Sequence, residues 1–229
     1  MTSFTGYPAD TLKFLRSLKR NNDREWFNKN KPRYEAAIVT PSMQFIADMS
    51  EKLPAISPHF TAIPKKVGGS MMRIYRDTRF AKDKSPYKTN IGIHFRHEVA
   101  KDVHAPGFYV HIEPRSVFVG VGIWRPEPKV ARLIREAIVE DPTAWKKAIK
   151  IKGLTQMTNP RSESLKRPPR GFDPDHPLIE DLKRKDFIFM RDLGEEHIGS
   201  AAFLKETVAM FKKSKPLMKF LCEAIDVPF

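Results

Sequence analysis

Apolar side chains recur at helical spacing in residues 8–18, where Leu12, Leu15 and Leu18 share a face with Phe14 beside them, and this predicts a helix. Residues 21–27 read as a second helix start, with Asn22 as the cap and Glu25 reaching back to it as in a capping box. A long helix is expected over 32–53, because Ile38, Phe45, Ile46, Met49 and Leu53 repeat at the same period. Pro41 lies inside it and should kink or restart it. Residues 57–69 carry two prolines and two glycines and predict a loop. Beyond it the period changes from helical to alternating. Strands are expected at 70–76, 90–96, 107–113 and 116–124, the last two joined as a hairpin through Pro114 and Arg115. Helical spacing returns at 126–139, and Asp141 followed by Pro142 opens a further short helix. Residues 153–177 are Pro-rich, basic and irregular. A fifth strand is expected at 187–193, and amphipathic helices at 198–212 and 216–225.

Strands are thus segregated from helices, which argues for an α+β fold rather than a doubly wound sheet. The expected architecture is a mainly antiparallel sheet of four to five strands, with N- and C-terminal helices packed on one face. The other face would be solvated or line a cleft. No internal repeat, low-complexity run or flexible linker divides the chain, so a single domain over 1–229 is expected.

Composition narrows the class. The 229 residues include 16 Phe and 9 Met, enough bulk for a sizeable core. One cysteine, Cys222, excludes an internal disulfide framework. No apolar run is long enough for a membrane span, and Met1–Gly6 lacks the features of a signal peptide, so a cytoplasmic protein with no membrane partner is expected. The formal charge is +14 and is uneven. Residues 61–105 hold ten basic and four acidic residues, and 146–185 hold eleven and five. These two segments suggest a field aimed at an anionic partner, although net charge also serves solubility.

The densest stretch is 73–88, where six cations face two aspartates. Arg73, Arg76, Arg79, Lys84 and Lys88 are candidate ligands for phosphate or carboxylate, because forked guanidinium donors on a loop stiffened by Pro86 suit such groups. The competing reading is a structural clamp in which Asp77 and Asp83 neutralise the loop from within. The hairpin supplies the second constellation. Alternation puts Phe108, Val110 and Ile112 on the core face and Tyr109, His111 and Glu113 on the other, beside Gly120 and Gly122. His94 and Arg96 point the same way if the register permits. His111 or Glu113 would be the acid–base group, with His94 and Tyr109 lining the adjoining face. His94, His111 and Glu113 as metal ligands is a weaker alternative, and an ordinary wet sheet face a third. In 166–177 the cations can complete an anion site, and Asp175 is expected to cap the helix that follows. The sequence contains neither a Gly-rich phosphate loop nor a nucleophile elbow.

The run from Arg73 to Lys88, RIYRDTRFAKDKSPYK, resembles the hallmark of the domain of unknown function 2461 family. Asn21-Asn22 with Trp26-Phe27, the segment from Tyr109 to Pro114, Gly120-x-Gly122-x-Trp124-x-Pro126, and Pro169 to Phe172 are similar to its other motifs. The sequence departs at Val121, where the pattern often has a third glycine. The resemblance implies one compact domain and no particular reaction or cofactor. The expectation is therefore a protein that binds a phosphorylated or other anionic ligand, with catalysis at His111 or Glu113 left open. Non-catalytic nucleic-acid binding, with Phe80, Tyr87 and Phe172 stacking on bases, and a structural scaffold are the alternatives.

Overall fold

The structure is a computed structural model in which residues 3–99, 104–151, 153, 155–156 and 164–229 are described. The N-terminal helices follow the apolar period. Helix α1 (Asp10–Arg20) buries Phe14, Leu15 and Leu18. Helix α2 (Arg24–Lys29) is capped by Asp23, whose carboxylate accepts from the Trp26 amide at 2.8 Å. Asp23 therefore replaces Asn22 as the cap, and Asn22 is spent elsewhere. The expected long helix comes in three parts: α3 (Lys31–Tyr34), a π-helical turn (Glu35–Val39) and α4 (Thr40–Lys52). The wide turn lies immediately before Pro41, whose missing N–H and ring a regular α-turn would not accommodate.

The sheet has six strands in the order β1-β2-β3-β4-β6-β5, antiparallel at every pairing. They are β1 (Phe60–Thr61), β2 (Ile91–His97), β3 (Gly107–Glu113), β4 (Ser116–Ile123), β5 (Thr155–Gln156) and β6 (Phe187–Asp192). The β3–β4 hairpin turns through Pro114 and Arg115, with Arg115 in the left-handed region at φ 69°. Gly122, at φ 125°, has no room for a side chain, since a Cβ there would lie 1.9 Å from the Phe187 carbonyl oxygen. Its role is close approach of β6, and Gly120 is likewise buried, so these glycines do not form an open floor.

Residues 70–76 do not form the expected strand. They make isolated bridges at Met71–Ile93 and Tyr75–Tyr87. Four positions separate Met71 from Tyr75 but six separate Tyr87 from Ile93, so two extra residues bulge out of the second segment and break the ladder. The short β1 takes the edge beside β2 instead.

Helices α5 (Pro128–Glu140), α6 (Pro142–Ile149), α8 (Ala202–Lys213) and α9 (Lys215–Glu223) complete the C-terminal half, with a short α7 (Ile179–Leu182) between β5 and β6. Asp141 caps α6, accepting from the Ala144 amide at 2.8 Å. Asp175 does not cap α7. That turn is entered through His176, whose Nδ1 accepts from the Leu178 amide at 3.1 Å. One face of the sheet is the core. Phe211 of α8 packs on Phe95 and Phe108, and Trp145 of α6 on Phe187 and Phe189. A fully buried aromatic or branched side chain contributes about 1.5–3 kcal/mol by leaving water, so this face dominates the stability. No helix among the described residues is long and apolar enough to cross a membrane.

Candidate functional site

The basic loop is anchored by Asn22. Its side-chain amide donates to the Tyr87 carbonyl and its oxygen accepts from the Tyr87 amide, both at 3.0 Å. The Tyr87 ring stacks on Phe27 with centroids 4.2 Å apart. The turn between α1 and α2 thereby fixes the segment that leads from the loop into β2. Within the loop, Arg76 binds Asp83 at 2.5 Å and donates to the Ser85 carbonyl at 3.1 Å. The Ser85 hydroxyl and amide, with Arg76 adding to them, hold the Asp83 carboxyl well below its ordinary range. Arg79 binds Asp77 bidentately and lowers that carboxyl to about 2, yet the Arg79 side chain is 77% exposed. The Lys84 ammonium donates to the Thr78 and Arg79 carbonyls. The clamp reading thus accounts for Arg76, Arg79 and Lys84 in large part. Lys88 differs. Among the described residues it has no acidic partner within 4 Å, and burial, with neighbouring Arg73 adding, pushes its ammonium pKa down.

On the sheet face away from the core, alternation and register place His94, Tyr109 and Gly120 side by side, as they do Gly92, His111 and Phe118. The Tyr109 hydroxyl lies 3.1 Å from His111 Nδ1, and His111 Nε2 lies 3.5 Å from a Glu113 carboxylate oxygen. The imidazole is stacked on Phe118, with centroids 4.6 Å apart and planes inclined by 13°. Burial pushes the Tyr109 phenol up to about 12, and the Glu113 charge adds to this. Burial also lowers the His111 pKa, against the opposing pull of Glu113. At neutral pH the phenol therefore keeps its proton and donates to Nδ1, leaving the imidazole proton on Nε2 toward Glu113. A hydroxyl, an imidazole and a carboxylate in line form a hydrogen-bonded relay in which the carboxylate fixes the imidazole tautomer and steadies any positive charge on the ring. Gly92 admits this arrangement: a Cβ there would lie 2.9 Å from the Tyr109 hydroxyl.

A cleft of about 440 Å³ lies between the α1–α2 turn, the basic loop and the bulged segment that follows it. Lys19 and Asn22 line it from the α1–α2 region, Arg76, Asp83 and Ser85 from the loop, and Lys88, Thr89 and Asn90 from the bulged segment. Behind that segment stand the ribbon groups. The Thr89 hydroxyl donates to Glu113 at 3.2 Å, the Asn90 amide nitrogen lies 3.5 Å from His111 Nδ1, and the Lys19 ammonium is 3.9 Å from Glu113. Of the residues expected from sequence, Arg76 and Lys88 line the cleft, and Tyr109, His111 and Glu113 are brought together behind it. Arg73 is exposed beside Lys88. Arg79 and Lys84 stay on the loop outside the cleft. His94 is buried, its ring 6.4 Å from that of Tyr109 and packed where a side chain at Gly107 would stand. No group of three His, Cys, Asp or Glu side chains among the described residues is arranged to hold a metal ion, so His94, His111 and Glu113 are not a ligand set. Lys19, Asn22, Thr89 and Asn90 were not foreseen. The first two lie far away in sequence, and the last two sit in a bulge that residue spacing conceals.

Neither the curated proteins nor the solved structures contain a match to this chain. The family model described as a conserved hypothetical protein, DUF2461, matches residues 10–220. That span contains the anchored loop, the ribbon and every wall of the cleft, and the chain belongs to the DUF2461 family.

Proposed function

We propose that this protein is a single domain that binds a phosphorylated or otherwise anionic small ligand in the cleft between the basic loop and the α1–α2 turn, in front of the β3 ribbon. In this reading His111 and Glu113 are the proton-exchanging groups, reached from the cleft through the Thr89 hydroxyl that donates to Glu113. The observation that carries it is Lys88. An ammonium partly buried beside Arg73, in the same cleft as Lys19 and with no carboxylate within 4 Å among the described residues, is poorly compensated until an anion arrives. Arg76 contributes less, because Asp83 and the Ser85 carbonyl already hold it.

Inorganic pyrophosphate is a suitable probe, followed by the shift in melting temperature it produces. Lys88→Ala and Lys19→Ala should abolish or strongly reduce that shift while leaving the melting temperature without ligand close to wild type. Arg79→Ala, on a side chain outside the cleft, should retain it. An equal response from all three variants would reject the cleft as the site. A second reading, nucleic-acid binding, rests on one observation. Phe80 is 95% exposed at the loop tip, with the Arg79 guanidinium 5.9 Å from its ring, as a stacking platform on single-stranded nucleic acid would be.

A further inference from the structure

A second basic cavity, of about 520 Å³, lies beyond the C-terminal end of β4, at the opposite end of that strand from the hairpin turn. Arg125, Pro126, Pro128, Arg135, Lys185 and Asp186 are among the residues that line it. The eight residues of β4 separate it from the first cleft by roughly 23 Å at strand rise, too far for one small ligand to span.

Arg135 is the informative residue. It projects from α5, is only 9% exposed, and has no carboxylate within 4 Å among the described residues. Its guanidinium donates to the Leu182 carbonyl at 2.6 Å and to the Arg184 carbonyl at 2.8 Å. Burial lowers its pKa. Two of a guanidinium's five N–H donors are thus used, and among the described residues carbonyl dipoles rather than a carboxylate balance the charge. Asp186, the one carboxylate on the cavity wall among the described residues, is itself engaged: it accepts from the Arg125 amide at 2.6 Å, and Arg125 is in the left-handed region at φ 41°. Two prolines stiffen the same wall, and α5 begins there at Pro128, which places the positive end of its dipole at the rim. The exposed cations Lys166 and Arg167 follow directly after Leu165, another residue of the lining.

We infer that this cavity is a second anion-binding site, selective for a phosphate group, with Arg135 as its buried counter-charge and Arg125 and Lys185 as its outer grip. Planar guanidinium donors on a rigid wall match the tetrahedral oxygens of phosphate better than a monovalent ion. The inference is independent of what the first cleft binds.

Amide NMR titration with inorganic pyrophosphate at constant ionic strength tests it. Saturable shifts are expected at the Arg125, Lys185 and Asp186 amides. The double variant Arg125→Ala/Lys185→Ala should weaken binding at those amides at least tenfold and leave any shifts at Thr89 and Asn90 unchanged. Arg135 is left intact in that variant, because its bonds to the 182–184 turn are structural. Absence of saturable shifts at the three amides, equal shifts with sodium chloride alone, or an unaltered response in the double variant would each overturn the assignment. None of these results depends on shifts at Thr89 and Asn90, which report the first cleft.

Discussion

His111 shows how much rests on a few atoms. Its neutral form is favoured by burial and its charged form by Glu113, while the Tyr109 hydroxyl lies against Nδ1. Glu113→Gln should therefore lower the His111 pKa, and Tyr109→Phe, which keeps both the burial and the carboxylate, should shift it less, both measurable from the imidazole resonances across a pH titration. The phenylalanine variant should cost only about 1 kcal/mol of stability, the scale of one hydrogen bond. Stability follows the same balance. An imidazole whose folded pKa lies below the unfolded value of about 6.5 leaves the unfolded chain binding more protons below neutrality. Its contribution is present above that value and is lost as pH falls toward the folded pKa. Wild type should accordingly lose urea resistance as pH falls below about 6.5, and His111→Gln should show a shallower loss. Alternation alone placed Tyr109, His111 and Glu113 on one face, because a strand's side-chain period is two whatever surrounds it. Contact between their polar atoms depended on Phe118 and Gly92 from the flanking strands.

Among the elements, the β3–β4 hairpin was legible almost to the residue, since both strands and their two-residue turn are adjacent in sequence. The segment 70–76 was not. Its own alternation is that of a strand, but the partner segment carries two extra residues, and a ladder needs both sides in step. Asn22 illustrates the same limit. Its position before a helix suggests a cap, while the structure gives that task to Asp23 and uses Asn22 to hold the backbone of Tyr87. Asn22→Ala removes two hydrogen bonds to backbone and should cost about 1–3 kcal/mol in urea unfolding. It should also weaken pyrophosphate binding, because the bulge that bears Lys88, Thr89 and Asn90 begins at Tyr87. Asp23→Ala, which removes only a cap, should cost about 1 kcal/mol and leave binding intact. Comparing the two variants separates the element's stability from its role in the cleft.

For the molecule as a whole, two cation-lined cavities lie toward opposite ends of β4. Salt distinguishes the kinds of partner such surfaces serve. If the protein holds a small anion in the cleft, pyrophosphate affinity should fall only modestly between about 50 and 200 mM potassium chloride. A nucleic-acid binder contacting about six to ten phosphates would lose roughly a thousandfold or more over that interval. Oligonucleotide and pyrophosphate titrations at both salt concentrations decide the matter. A steep loss confined to the oligonucleotide, together with failure of pyrophosphate to bind, would favour the stacking role of Phe80.

Sequence by itself determined the α+β class, the inward faces of the helices and the hairpin, and the clustering of charge, because hydrophobic period and local turn chemistry act between near neighbours along the chain. Tertiary structure alone decided which cations are already neutralised, that Lys19 and Asn22 close a cleft against a bulge more than sixty residues away, and that Arg135 is buried against backbone carbonyls with no carboxylate within 4 Å among the described residues. Ion pairing and cleft formation depend on distances of a few ångströms between segments remote in sequence, and those distances exist only once the sheet register and the helix packing have been set.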